Sequence, residues 1–319
     1  MDLKPEVLKR IEVLGEKYSA MGQDLVSYLD GLLYADFLTY WDYVHLDTLL
    51  SLQNPKTSFP DEKIFIIYHQ ITELYFKLCL NEFDQLGSER NPELKLFLKR
   101  INRINSYFEN LVRSFEIMVT GMEPEQFLKF RMSLLPASGF QSAQYRMIEI
   151  YATDFIHLVG KEYRSQFREE PSIGKMYEFI YWKAGATELA SGQKTLTLKQ
   201  FEEKYSYSLI KLAEEMRTTN LWQLYKKLPE VDQKDPRLLL AMKMLDVNVN
   251  VNWPLSHFKS AVRYLQKDPE DIKATGGTNW QKYLPPRFQK RIFYPEYGLL
   301  KRLRIGERVG LLKMFLDYR

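Results

Sequence analysis

The chain has 319 residues, a formal net charge of +4 and 27% charged residues, a composition typical of a folded globular protein that argues against global disorder. Lys and Arg are scattered rather than clustered, which argues against a nucleic-acid surface, and no apolar run approaches the roughly 18 residues of a membrane span. The single cysteine, Cys79, excludes an internal disulfide and favours a reducing, cytoplasmic compartment.

Helical spacing of apolar residues dominates the sequence and predicts an all-α fold, a multi-helix bundle in one domain over residues 1–319. In chain order, helices are predicted at about 5–20, 36–52, 61–86, 92–119, 124–133, 141–159, 198–227, 237–245, 255–266 and 297–318. Two of these helices carry long apolar seams, formed by Ile64, Ile67, Ile71, Leu74 and Leu78, and by Phe97, Ile101, Ile104, Phe108, Leu111 and Phe115. Residues 162–194 are less regular and predict a small helical excursion. Val and Asn alternate at 247–251, a short strand-like pattern.

The candidate reactive groups are four histidines: His45, His69, His157 and His257. No pair has the i, i+4 spacing of a helical zinc site, and the sequence lacks HExxH, GxSxG, GxGxxG and P-loop motifs, which argues against zinc, hydrolase and nucleotide chemistry. Haem needs one protein ligand, which a single His supplies, and a second His can serve as hydrogen-bond partner on the other side. Cys79 is a weaker candidate ligand, because it lies in an apolar helical run where a free Cys is usually inert.

Five segments, in order along the chain, resemble signatures of the tryptophan 2,3-dioxygenase family. They are YWDYVHLDTLLSLQ at 40–53, FIIYHQITELYFK at 65–77, FRMSLLPASGFQSAQYR at 130–146, WPLSH at 253–257 followed by TGGT at 275–278, and RIFYPE at 291–296. Five matches in the family's order are far more specific than any one of them.

The resemblance implies that the helical bundle encloses a pocket for haem b. It implies that His257 is the axial ligand of the haem iron, and that Ser138 and Gly139 border the haem. It places His69 on the distal side, near the indole N–H of the substrate, as the catalytic histidine.

The resemblance also implies how tryptophan is held. Arg131 would bind the substrate carboxylate through a planar fork of two donors, and Thr275 would contact the amino-acid end. Phe65 and Leu134 would pack against the indole. The residues themselves agree with this, because Phe130, Arg131 and Leu134 place an apolar patch and a positive charge on one helix wall.

Tyr40, Tyr43 and Val44 match positions that a neighbouring subunit contributes in the family, which implies a homotetramer with active sites shared between subunits. A surplus of aromatic residues, 21 Tyr and 19 Phe, fits wide oligomer interfaces. His45 and His157 match no signature and are expected to be structural.

Some positions depart from the family pattern. Phe127, counted among the substrate-binding residues, stands where the family usually has Tyr, and the loss of one hydroxyl donor to the carboxylate is worth ~1–3 kcal/mol in a buried site. Tyr75 replaces a Trp, and Asn279 and Trp280 replace a smaller Ser–Gly pair. These changes leave open an oxygenase of the same fold that acts on a modified tryptophan or another aromatic amino acid.

The expected reaction is the conversion of L-tryptophan and O2 to N-formylkynurenine, with no nucleic-acid or membrane partner. A second alternative is a haem-binding or sensing protein without enzymatic activity. Arg131 and Thr275 argue against it, because a sensor has no need to hold a carboxylate.

Overall fold

The computed structural model describes residues 3–36, 38–88, 93–134, 139–167, 172–187, 193–265 and 291–295. The chain divides into two compact units, Met1–Asn54 and Pro55–Arg319. The secondary structure of the described ranges is helical, apart from two isolated bridges that join Val159 to Ile180 and Thr187 to Lys194, so the predicted all-α fold is confirmed. None of the described helices has the length and apolar character needed to cross a bilayer.

The helices described in the first unit are α1 (Pro5–Ala20), α2 (Leu25–Leu33), α3 (Tyr40–Tyr43) and α4 (Leu46–Leu50). Helix α2 begins after Asp24, whose carboxylate accepts hydrogen bonds from the backbone N–H groups of Val26 and Ser27. The single helix predicted over 36–52 is wrong, because the chain turns at His45, whose φ of 52° lies in the left-handed region. None of the residues in these four helices is buried.

The helices described in the second unit are α5 (Asp61–Ser88), α6 (Leu94–Ser114), α7 (Glu116–Thr120), α8 (Pro124–Phe130), α9 (Ala143–Ala152), α10 (Ile173–Glu178), α11 (Leu196–Glu215), α12 (Leu221–Lys227), α13 (Glu230–Gln233), α14 (Pro236–Val247) and α15 (Trp253–Leu265). Helix α5 packs on α6 and α9, and α6 packs on α14, so much of the core lies among these four helices. Helix α15, which carries His257, packs on α6, α7 and α8.

Burial confirms the apolar seam predicted for α6, whose residues Phe97, Ile101, Ile104, Phe108 and Leu111 are completely buried. The seam predicted for α5 is wrong in part. Its members Ile67, Leu74 and Leu78 are 40–53% exposed. The buried face of α5 consists instead of aromatic and small residues at steps of three and four: Tyr68, Thr72, Phe76, Cys79, Leu80 and Phe83. Helix α5 therefore has two apolar faces, and the larger aromatic side chains occupy the core.

Three of the long helices predicted from periodicity are shorter than expected. The helix over 92–119 is interrupted at Phe115, between α6 and α7. The helix over 141–159 ends at Ala152, and a 3₁₀ turn, Phe155–Leu158, follows it. The helix over 198–227 is divided by a 3₁₀ turn and by Asn220, whose side chain accepts a hydrogen bond from the N–H of Gln223 and starts α12. The helix predicted over 297–318 lies outside the described residues.

The irregular stretch 162–194 contains α10 between two 3₁₀ turns, Arg164–Phe167 and Tyr181–Ala186. It is joined to α11 by Lys183, whose Nζ lies 2.7 Å from a carboxylate oxygen of Glu202.

Helices α14 and α15 are joined without interruption by a π-helical turn, Asn248–Asn252. The alternating Val and Asn residues therefore form a helix and not a strand. Asn252 donates to the side-chain oxygen of Asn248 at 2.8 Å, and Asn248 donates to Asn105 of α6 at 3.2 Å. The turn lies in the core, where Val249 is fully buried, and these hydrogen bonds give its polar side chains the partners that they need there.

The chain returns to this core at residues 291–295, which we call the return segment. Arg291 forms a buried ion pair with Glu149 of α9. The N–H of Phe293 donates to Asp246 of α14 at 3.2 Å, and its carbonyl accepts from the hydroxyl of Thr153. The return segment is therefore fixed to both α9 and α14.

Candidate active site

His69 is half-buried on α5, one turn after Phe65. Its Nδ1 lies 2.7 Å from the carbonyl oxygen of Phe65. Because a carbonyl can only accept a hydrogen bond, Nδ1 carries the proton and Nε2 keeps its lone pair. Burial also lowers the pKa of His69, so the ring is neutral near pH 7. His69 is thus set up as a hydrogen-bond acceptor through Nε2.

His257 lies on α15 between two aromatic rings. The ring centroids of Phe115 and Trp253 are 4.5 and 4.6 Å from the imidazole centroid, both with edge-to-face geometry. Burial, with a smaller contribution from the charge of His69, lowers the pKa of His257 to about 3. His257 is therefore neutral at physiological pH, which is the form of imidazole that binds a metal ion.

The fold connects these two histidines from distant parts of the sequence through one aromatic ring, since Phe115 contacts both His257 and Tyr68, the residue before His69. The Nδ1 of His157 is 2.8 Å from the hydroxyl of Thr153, and His45 forms the left-handed turn of the first unit.

A wall of three phenylalanines, which we call the phenylalanine wall, extends from the His69 side. Phe65 lies 6.3 Å from Phe127 and 5.8 Å from Phe130, measured between ring centroids. Arg131 follows directly and begins the 3₁₀ turn Arg131–Leu134. Its side chain is buried, and desolvation lowers the pKa of its guanidinium. The phenylalanine wall thus adjoins His69, whose ring centroid lies 4.0 Å from that of Phe65. Arg131 follows this wall in sequence, and Leu134 lies half-buried at the end of the same turn.

Comparisons with known proteins find similarity to one family. Residues 34–178 match the family model described as tryptophan 2,3-dioxygenase. A tryptophan 2,3-dioxygenase of Bacillus thuringiensis is 28% identical over 280 residues, which cover 83% of this chain and 93% of that protein. One of Bradyrhizobium diazoefficiens is 26% identical over 264 residues, covering 80% and 89% of the two chains. A shorter match, 42% identical over 120 residues, covers 36% of this chain and 42% of a tryptophan 2,3-dioxygenase of Ruegeria.

The chain is similar to tryptophan 2,3-dioxygenases over residues 34–178 and, at 26–28% identity, over most of its length. The matched region 34–178 contains His69, Arg131 and the phenylalanine wall. His257 lies beyond that region.

The residues fit the haem that the resemblance implies. Within the described residues, no group of three or more His, Cys, Asp or Glu could hold a metal ion on its own. Haem provides four nitrogens of its own and needs only one protein ligand, for which neutral His257 is suited. The aromatic rings of Phe115 and Trp253 give the apolar surroundings that a porphyrin needs. Cys79 does not fit as a ligand, because burial raises the pKa of its thiol and so disfavours the thiolate.

Six of the predicted site residues stay predictions, since no described contact joins them to these side chains. Tyr40 and Tyr43 lie on the first unit and are 70% and 75% exposed, and Val44 follows them at the end of α3. Ser138 and Thr275 lie outside the described residues, and Gly139 begins the 3₁₀ turn Gly139–Gln141.

Four aromatic neighbours of the site were given no role from sequence. Trp253 could have been found, because it precedes His257 by four residues and so shares its helix face. Phe130 stands beside Arg131 in a signature segment. Phe115 and Tyr264 gave no such signal, since periodicity predicts that a side chain is buried and not which side chain it contacts. The centroid of the Tyr264 ring lies 4.7 Å from that of Phe127.

Proposed function

We propose that this protein is a haem-dependent dioxygenase that opens the indole ring of L-tryptophan between C2 and C3, giving N-formylkynurenine. One observation carries the proposal beyond the similarity in sequence. Two neutral, desolvated histidines lie on α5 and α15, which are linked through the rings of Tyr68 and Phe115, and the apolar wall that adjoins His69 is followed directly by a buried arginine. An amino acid with an aromatic side chain requires this combination of an apolar surface and a fixed positive charge.

His257 would hold the haem as axial ligand of its iron, with Ser138 and Gly139 at the haem border by resemblance. When bound, ferrous haem supplies the activation of O2. The protein's contribution is to bind and orient the substrate and to exclude water from the reacting carbons.

His69 would orient the indole. With its proton held on Nδ1 by the Phe65 carbonyl, Nε2 is available to accept a hydrogen bond from the indole N–H. Indole N–H is too weak an acid for imidazole to deprotonate fully, so His69 acts as an orienting acceptor. The low pKa of the buried ring keeps this acceptor neutral.

Arg131 would hold the substrate carboxylate, and Phe65, Leu134 and Phe127 would pack against the indole. Desolvation of the guanidinium supports this role, because a buried cation gains more from an anionic ligand than an exposed one does. The resemblance assigns the amino-acid end of the substrate to Thr275.

We further propose a cytoplasmic homotetramer in which Tyr40, Tyr43 and Val44 complete the pocket of a neighbouring subunit. Two observations support a second copy as the partner. Helices α1–α4 bury none of their residues within one chain. Helix α5 exposes an apolar stripe of Ile67, Leu74 and Leu78. Exposed apolar area on this scale is typical of subunit interfaces.

Product analysis with isotopically heavy O2 tests the reaction. The reduced haem-loaded protein is incubated with L-tryptophan, and the product is measured by mass spectrometry. A dioxygenase places both heavy oxygen atoms in N-formylkynurenine. A hydroxylase of the same fold would place one heavy atom in its product, and a sensor would give no product; either result overturns the proposal.

A further inference from the structure

Phe115 occupies the junction between α6 and α7 and is 4% exposed. Its ring meets the His257 imidazole at 4.5 Å with an angle of 61° between the planes. Helix α6 ends directly before Phe115, so this residue lies outside the regular helix although its spacing matches the apolar seam of α6. Phe115 is thus a core residue with a specific contact to the candidate iron ligand.

Trp253 completes a group of three rings around the imidazole. It is 4.6 Å from His257 and 5.2 Å from Phe115, with interplanar angles of 89° in both pairs. Each ring presents an edge to the face of another, the geometry that aromatic quadrupoles favour. Because Phe115 and Trp253 also contact each other, the imidazole cannot turn about its Cβ–Cγ bond without displacing a buried ring.

Phe115 also contacts Tyr68, the residue before His69. The two rings are 5.6 Å apart and nearly perpendicular, at 87°. The Tyr68 hydroxyl lies 3.1 Å from both the carbonyl of Leu111 and the hydroxyl of Ser114, in the last turn of α6. Tyr68 therefore fixes both the ring of Phe115 and the backbone that carries it.

We propose that Phe115 is a positioning residue that sets the plane of the His257 imidazole before haem binds, and that Tyr68 holds Phe115 in place. The orientation of a ligating imidazole is normally set by its surroundings, and their loss weakens metal binding. In this way helix α5, which carries His69, also aligns His257 through Tyr68 and Phe115. The identity of the bound metal as haem iron rests on the proposed function, whereas the ring contacts do not depend on it.

Substitution of Phe115 by Leu tests this role, with Phe108→Leu as the matched control. Phe108 lies two turns earlier on the same helix, is equally buried and contacts Phe76 rather than a histidine. We expect Phe115→Leu to weaken haem binding roughly ten-fold or more and to shift or broaden the iron–histidine stretching band of the ferrous protein. Phe108→Leu should lose comparable thermal stability and change neither property. Equal effects of the two variants would mean that Phe115 only fills the core.

A milder variant, Tyr68→Phe, keeps the ring and removes the hydroxyl bonds to α6. Its control is Tyr225→Phe, since Tyr225 is as fully buried and donates to the carbonyl of Gln233 at 2.8 Å. Tyr68→Phe should move the iron–histidine band in the same direction as Phe115→Leu, by a smaller amount, whereas Tyr225→Phe should leave it unchanged. No shift in Tyr68→Phe would overturn the part assigned to Tyr68.

The apoprotein separates this inference from the proposed function. The His257 imidazole, observed by NMR with isotope-labelled histidine, should be ordered in the wild type and in Phe108→Leu, and mobile in Phe115→Leu. An equally mobile ring in the wild type would refute the positioning role, whatever the protein does with haem. Failure of the dioxygenase test with an ordered ring would refute the proposed function alone.

Discussion

Burial acts in the same direction on His69 and His257, lowering the pKa of each imidazole. The consequences differ because the two rings have different neighbours. The carbonyl of Phe65 fixes the tautomer of His69, whereas aromatic edges surround His257 and leave its nitrogens as candidates for a metal. One physical effect thus suits one ring to accept a hydrogen bond and the other to the proposed binding of iron.

Replacement of His257 by Ala should abolish the Soret band of the haem-loaded protein or shift it strongly, because the proposed axial ligand is lost. His157→Ala is the matched control, since His157 is bonded to Thr153 away from the site and should keep the wild-type spectrum. A wild-type spectrum in His257→Ala, together with its loss in His69→Ala, would reverse the two assignments.

Replacement of Arg131 by Ala should raise the apparent KM for L-tryptophan by an amount equivalent to ~2–5 kcal/mol, the usual effect of removing one partner of a buried charged contact. Haem content should stay normal. Indole, which lacks the amino-acid arm, is the control substrate and should respond little. A similar loss with both substrates would show that Arg131 supports the fold and does not bind the carboxylate.

The variant Phe127→Tyr would restore the hydroxyl that the family usually has at this position. We expect it to tighten L-tryptophan binding by ~1–3 kcal/mol, the value of one hydrogen bond to a buried charged group. Dissociation constants measured by haem difference spectra would show the change. If Phe127→Tyr weakened binding, the pocket would be built for a different aromatic substrate.

At the level of elements, periodicity predicted where helices lie better than where they stop. The buried seam of α6 follows from its spacing, but the break at Phe115 does not, because an apolar side chain at the seam position is equally compatible with a continued helix. In α5, residues on both faces are apolar, and spacing could not tell that Leu74 is exposed while Phe76 is buried. The left-handed turn at His45 could not be predicted, because no glycine occupies that position.

Asp246 makes the attachment of the return segment dependent on pH. Its side chain is fully buried on α14. Burial raises its pKa from 3.8 to about 7, although the hydrogen bond from Asn250 acts to lower it. The folded state therefore favours the protonated acid. The contribution of Asp246 to stability is complete below about pH 4 and is lost as the pH rises through about 7.

The variant Asp246→Asn should remove this dependence, since Asn resembles the neutral acid in shape and can still accept from the N–H of Phe293. Relative to the wild type, its melting temperature should rise with pH between about 4 and 7, by the equivalent of up to ~4 kcal/mol. Thermal unfolding followed by circular dichroism across this range provides the measurement. A constant difference between the two proteins would mean that Asp246 is ionised throughout.

At the scale of the whole molecule, subunit sharing can be tested by complementation. Tyr43→Ala and Arg131→Ala should each reduce activity strongly as pure proteins. Subunits mixed under dissociating conditions and reassembled should regain activity, because some pockets then combine a native Tyr43 from one subunit with a native Arg131 from another. Sedimentation should give a tetramer. A fully active monomer, or a mixture no more active than its components, would contradict the shared site.

The site was less accessible to physical reasoning from sequence than the fold. Four histidines met the requirement for one haem ligand, and only the family resemblance separated His257 and His69 from His45 and His157. Their proximity depends on contacts between α5, α6 and α15 that span nearly 190 residues of sequence, a range that local spacing does not reach. The roles of Ser138 and Thr275 stay predictions.

The π-helical turn sets the direction in which α15 presents its side chains relative to those of α14. Each residue advances an α-helix by about 100°, so the wider turn at Asn248–Asn252 offsets the faces of α15 against those of α14. If the same residues continued instead as a regular α-helix, His257 would be rotated by roughly the angle of one residue away from Phe115. The direction in which the chain presents this candidate ligand therefore depends on the wider turn being kept.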